Sequence, residues 1–222
     1  MSLKRNTYDI CAIQELFIDF NGKSGANNQW FTVYPSTHNS APNATRSILL
    51  VNTNLLTNNW MQINIMHPDI SAIELTTKIG NIQILNIYND CWNNTTLNII
   101  ATFMWNNPPA RSATVQTHYI WLGDFNWHHP IWDEPRNSHL FTKSNLDLAQ
   151  PLLTLLDIYN MKMALPPFIP TLKAHNTGNH TRMDNVFCSE SLLHTFTKCN
   201  TDDVACLVKT DHYPIILQMI IL

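Results

Sequence analysis

The apolar residues of this chain fall in short alternating runs, and that period most constrains what the chain can fold into. Asp9 to Glu15, Trp30 to Tyr34, Ser47 to Val51, Met61 to Met66, Asp69 to Thr77, Asn81 to Tyr88, Tyr119 to Phe125, Met183 to Cys188 and Tyr213 to Ile221 each read as a strand. Lys78-Ile79-Gly80 reads as a hairpin connection, with Gly80 supplying the turn conformation. Two stretches carry the helical period instead. Thr95 to Trp105 spaces Leu97, Ile100, Ala101 and Met104 along one face and is stopped by Pro108-Pro109. Asn145 to Tyr159 sets Leu146, Leu152, Leu153, Leu155 and Leu156 on an apolar face, with Pro151 as an alternative first turn. Ser189 to Leu193 is a candidate third, short helix. Many strands with few interspersed helices predict one layered α/β domain over residues 1–222, built on largely antiparallel sheets.

Four acids recur in one setting. Glu15 ends Cys11-Ala12-Ile13-Gln14-Glu15, Asp124 lies in Gly123-Asp124-Phe125-Asn126, Asp184 in Arg182-Met183-Asp184-Asn185, and Asp211 in Thr210-Asp211-His212. Each stands where an apolar run meets a polar loop. An acid there is costly unless it is paired or binds a cation. Singly, each also fits a cap, an Asx-turn or a loop ion pair. Several at neighbouring strand ends would repel one another, and a divalent metal resolves that repulsion. Oxygen ligands of this kind suit Mg²⁺ better than Zn²⁺.

Composition removes whole classes. Charged residues are only 13% and apolar ones 45%, which excludes a disordered chain and a coiled coil. The net charge of −3 is not that of a general nucleic-acid binder, so a nucleic-acid role has to rest on a local patch or on metal ions. Cys11, Cys91, Cys188, Cys199 and Cys206 are odd in number and lack a CxxC pair, as expected of free thiols in a reducing compartment. No apolar run reaches the length of a membrane span. His118, His128, His129 and His139 have no cysteine partners and no HExxH helix, which disfavours zinc.

Five motifs stand in order along the chain: Ile13-Gln14-Glu15, Asn86-Ile87-Tyr88-Asn89, Gly123-Asp124-Phe125-Asn126, Arg182-Met183-Asp184 and Thr210-Asp211-His212. Through them the sequence resembles the endonuclease/exonuclease/phosphatase superfamily. It is most similar to the endonuclease domain of non-LTR retrotransposons. The stretch Asn126 to Phe141, with His128-His129-Pro130 and Trp132-Asp133, resembles the version found in fungal reverse-transcriptase-bearing elements. The likeness runs from about Tyr8 to the last strand.

The resemblance implies a DNase I-like, four-layered α/β/β/α sandwich of mostly antiparallel sheets. It also implies Mg²⁺-dependent phosphodiester hydrolysis, with Mn²⁺ as a substitute. Glu15 resembles the principal metal ligand and Asp211 a second metal-site acid. Tyr88 resembles the donor to the scissile phosphate and Asp124 the acid that activates water. Asn126 resembles the amide that holds phosphate and water, Asp184 the acid that orients a histidine, and His212 that histidine. Arg46, Asn89, Trp127, His128 and Arg182 are the expected substrate contacts. The expected partners are DNA and the reverse transcriptase region of a parent polyprotein, for a monomeric domain that is intracellular, nuclear in an active element, and off the membrane. The family domain opens with one further strand carrying an Asn, whereas here the Glu15 strand comes almost at once, so an N-terminally truncated domain is expected. A catalytically impaired remnant and an inositol-phosphate phosphatase are the competing readings.

Overall fold

Every alternating run becomes a strand in the computed structural model, which describes residues 7–108, 115–202 and 210–221. Pro109 and Cys206 lie outside those residues. The strands are β1 (Ile10–Gln14), β2 (Trp30–Val33), β3 (Ser47–Asn52), β4 (Trp60–Ile63), β5 (Ile70–Thr77) and β6 (Gly80–Tyr88). After helix α1 (Thr95–Asn106) come β7 (Thr117–Asp124), helix α2 (Lys143–Ile158) and β8 (Met161–Met163). The chain closes through β9 (Leu172–Lys173), β10 (His180–Thr181), β11 (Asp184–Ser189), β12 (Phe196–Thr201) and β13 (Ile215–Met219).

One six-stranded sheet runs β4-β5-β6-β7-β11-β8, and a three-stranded sheet runs β1-β3-β2. β12 and β13 form a separate pair. All pairings are antiparallel except β6 with β7, which α1 connects as a crossover. On its second edge β1 has no strand partner among the described residues.

The period of two sorts the six-stranded sheet into two buried faces. Ile70, Ala72, Leu85, Ile87, Tyr119 and Trp121 pack on α1 and α2 through Leu97, Ile100, Met104, Leu152 and Leu155. Ile73, Ile82, Ile84, Ile120, Val186 and Cys188 pack on Val33, Leu49 and Val51 of the small sheet, with Ile10, Ile215 and Leu217 alongside. The outer face of the small sheet, Trp30, Ile48 and Leu50, meets Tyr8, Leu16, Ala26 and Tyr34. Both α-helices therefore lie on one side. The mixed α/β architecture with a multistrand central sheet is the one expected of a DNase I-like fold.

Three local expectations change. The Thr142 side chain accepts from Asn145 N and starts α2 at Lys143, so Pro151 lies inside the helix rather than at its first turn. It is held there although proline has no N–H for the helical ladder. Ser189 to Leu193 becomes a 3-10 turn over Glu190–Thr195. Gly80 is the first residue of β6, opposite Thr77, with φ +125 because a Cβ there would meet the Gln116 carbonyl oxygen at 2.2 Å.

Gly123 faces the same constraint next to Asp124. It has φ +130, and a Cβ would meet the Ile87 carbonyl oxygen at 2.0 Å, so the parallel β6–β7 pair closes only on glycine. Gly123→Ala is expected to cost at least about 2 kcal/mol in denaturant unfolding. Gly25→Ala, which meets nothing within 4 Å, is expected to be near neutral.

Candidate active site

Register sets three polar residues in one row. Tyr88 of β6 pairs with Asp124 of β7, and Asp124 opposes Asp184 of β11. By alternation they share the face of Ile84, Ile120 and Val186, the face packed on the small sheet. They stand where that apolar core ends.

A buried amide joins the two sheets just below the row. Asn86 Nδ2 donates to Ile13 O at 3.1 Å and Ile48 O at 2.8 Å, while Gln14 Nε2 donates to Asn86 Oδ1. This anchor brings the end of β1 to the end of β6. Glu15 then turns out with φ +50, and Tyr88 Oη donates to Glu15 Oε1 at 2.6 Å. Burial, then the Glu15 bond, pushes the Tyr88 phenol well above its ordinary range, so it stays a neutral donor.

Arg46 braces this pair. Its guanidinium lies 4.6 Å from the Tyr88 ring centroid. Nε and Nη2 donate to the two oxygens of buried Asp69 at 2.8 and 2.6 Å, and Nη1 donates to Asp90 Oδ2 at 2.9 Å. All three nitrogens have partners within the protein while the side chain stays 38% exposed, so Arg46, expected as a phosphate contact, also braces Tyr88 at the edge of the site.

The other half of the row is set by Thr171, which is fully buried. Its hydroxyl accepts from Met183 N at 3.1 Å and Asp184 N at 3.0 Å, and its carbonyl accepts from Tyr213 N at 2.7 Å. His212 bridges to Leu172 of β9, which places its Nδ1 2.8 Å from Asp184 Oδ2. Burial opposes charge on the imidazole, but the Asp184 bond and the fields of Asp184, Asp124 and Asp211 outweigh it and push His212 up to about 9. Asp124 accepts from Asn126 N at 3.0 Å. Burial, then repulsion from Asp184, raises Asp124 to about 8 against the lowering effects of His212 and that bond. Asn126, at φ +57, donates from Nδ2 to Asn89 O at 2.8 Å.

Ligand-capable atoms of Asp124, Asp184 and His212 lie within 4.8 Å of one another, a group able to hold a metal ion. Glu15 and Asp211, the acids expected to bind it, are not members of this group. Glu15 is joined to Tyr88, and its charge is felt at Asp124. Asp211, at a bend just before His212, instead lines a groove with Lys173, His175 and Tyr213.

Several expected substrate contacts belong to the framework. Arg182 is fully buried and donates to Leu165 O, Pro166 O and Asn185 Oδ1. Trp127 is buried and donates to Asn94 Oδ1 at 2.9 Å. Asn89 is buried and donates to Asp90 O and Phe125 O, so only its carbonyl serves the site, through Asn126. His128 Nδ1 lies 3.0 Å from Asp133 Oδ2, and Asn137 donates to the other Asp133 oxygen at 2.7 Å, which pins the Asn126 to Phe141 loop. Gln14 and Asn86 stand in two of the motifs, but nothing there marks them as positioning residues; for Asp69, Asp90 and Thr171 the only sequence signal is a polar side chain within or beside an apolar run.

Two sheets packed face to face, with acids, a tyrosine and an acid-bound histidine at their common end, define a DNase I-like α/β fold of the nuclease and phosphatase superfamily. The family model described as endonuclease-reverse transcriptase matches residues 82–216, more than half of the chain. This chain belongs to that family. Among solved structures it is similar to the endonuclease domain of TRAS1, a telomere-specific non-LTR retrotransposon, at 16% identity and TM-score 0.66, covering 95% of this chain and 85% of that one. It is also similar to the AP endonuclease LMAP from Leishmania major, at 12% identity and TM-score 0.70, covering 96% and 79%. A 3′ phosphatase from Neisseria bound to product DNA hairpin matches at 15% identity and TM-score 0.63, covering 96% and 90%. Among curated proteins none matches.

Both raised pKa values make the metal-free fold bind more protons than the unfolded chain. Stability from Asp124 and His212 is therefore fully present below their ordinary values and declines as pH rises through about 8 and about 9. The melting temperature of metal-free protein is expected to fall from pH 6 to pH 9.5. By NMR titration His212 is expected near 9 in the native chain, and Asp184→Asn is expected to lower it by more than about one unit.

Proposed function

We propose that this chain is a Mg²⁺-dependent endonuclease domain that nicks DNA, of the kind borne by non-LTR retrotransposons, with Mn²⁺ able to replace Mg²⁺. The observation that carries this reading is the convergence of Tyr88–Glu15 and His212–Asp184 on either side of Asp124, at one end of the inter-sheet core. Glu15 and Asp124, with Asp184 behind them, are the carboxylates that would hold the cation. His212 is engaged by Asp184 and favours its protonated form, which does not coordinate metal. When bound, the ion supplies positive charge against the phosphate oxygens and draws the Asp124 proton off.

The chain's own groups divide the remaining work. Ionised Asp124 takes a proton from the attacking water, which the Asn126 amide helps to hold. The His212 imidazolium donates to a nonbridging oxygen as charge builds there, and Asp184 keeps the ring oriented and charged. The neutral Tyr88 hydroxyl, which donates to Glu15 in the free chain, would donate to the phosphate instead. A reverse transcriptase region of a parent polyprotein as partner, a monomeric state and a nuclear site of action belong to the same reading.

Plasmid nicking in Mg²⁺ tests it. Supercoiled DNA is expected to become open circles, with loss of the reaction in excess chelator and in Asp124→Ala. Tyr88→Phe is expected to lower the rate about a hundredfold or more, as removal of one charge-stabilising donor does. A folded chain that does not nick but releases phosphate from inositol phosphates would move the assignment to a phosphatase. One that does neither would be a remnant.

A further inference from the structure

The three most exposed aromatic side chains among the described residues are Phe20 at 98%, Trp92 at 85% and Phe17 at 83%. They come from the two loops that leave the bonded pair Glu15 and Tyr88. Phe17 is two residues past Glu15, so their Cα atoms are at most about 8 Å apart. Trp92 N donates to Asp90 Oδ1 at 2.9 Å, and the other Asp90 oxygen accepts from the arginine stacked on Tyr88. Phe20 sits at the tip of a tied turn. Asp19 Oδ1 accepts from Asn21 N at 2.9 Å and Lys23 N at 2.8 Å, and His38 Nε2 lies 2.8 Å from Gly22 O. These loops are held by polar bonds, and their aromatic rings are left to water.

The same neighbourhood has few uncommitted cations. Arg182 is buried on internal partners, Arg46 is bound to Asp69 and Asp90, Lys23 is the one lysine of the Phe20 turn, and the chain carries a net charge of −3. Neutralising many phosphates is not how this surface would hold a polynucleotide. Stacking on nucleobases needs no cation, and every base offers a π-face.

We propose that Phe17, Phe20 and Trp92 form an aromatic rim that stacks on unpaired nucleobases flanking the scissile phosphate. The preferred nucleic acid is then one whose bases are already unstacked: a single strand, a mismatch or a frayed end. The inference rests on the nuclease reading and narrows its substrate class, because a base held in duplex must be unstacked at a cost before it can reach the rim.

Binding of phosphorothioate oligonucleotides in Mg²⁺ tests it, with a single strand, its full duplex and a duplex carrying one mismatch as the probes. The single strand and the mismatch are expected to bind at least tenfold tighter than the duplex. Trp92→Ala is expected to weaken single-strand binding about five- to a hundredfold. Trp92→Tyr keeps a stacking ring and is expected within about threefold of the native chain. The slope of affinity against salt is expected to stay shallow and unchanged in Trp92→Ala. Trp105→Ala, an equally open ring on α1, is the control expected to have no effect. Tighter binding of the duplex, or native affinity in both Trp92→Ala and Phe20→Ala, overturns the rim while plasmid nicking leaves the nuclease reading intact. Absence of nicking together with absence of binding to all three probes overturns both.

Discussion

The site depends on one cross-strand register. Tyr88, Asp124 and Asp184 meet only because β6, β7 and β11 pair with those residues in a single row. A slip of one residue in any of the three strands would turn its polar end away and aim its apolar set out of the inter-sheet core. Register is fixed from both sides. Large aliphatic residues fill both faces of the sheet, and Gly123 admits the Ile87 carbonyl where any side chain would collide. The position that lets the parallel pair close is therefore the one next to the acid at its end.

Around that row the structure spends its polar residues on placement. Asn86 and Gln14 link the two sheets, Arg46 ties Asp69 and Asp90 under Tyr88, and Thr171 holds the Asp184 and Tyr213 backbones together. Each is buried or braced, so a defect in one leaves another unpaired in a low-dielectric setting. The reacting groups sit on strand ends, while the neighbours that fix their geometry come from distant points in the chain.

That division explains what the sequence disclosed. Alternation revealed the strands, and an acid at the end of an apolar run is legible because it violates the pattern around it. Asp124 and Asp184 stand out that way, Tyr88 and His212 only through the motifs that contain them, and the fold brings the four together. Arg182 and Trp127 were misread, because their sequence neighbours are site residues while their side chains turn into the core. Asp69 looks like an ordinary acid before a strand until Arg46 arrives from another element. Pro151 reads as a helix start, but the Thr142 cap and the apolar face of α2 outweigh its missing N–H.

The carboxylates impose a last condition on the fold. Without a cation, repulsion within the row is relieved by protons: Asp124 holds one up to about 8 and His212 keeps one up to about 9. A proton on Asp124 would remove the base that the proposed hydrolysis requires. A divalent cation would relieve the same repulsion and leave that base ionised. Stability and the proposed activity would thus draw on one electrostatic conflict, which protons settle in favour of folding and a metal ion would settle in favour of both. Acids sparsely matched by cations are tolerable here because they crowd at the end of a core whose apolar contacts hold their strands in register without drawing on those charges.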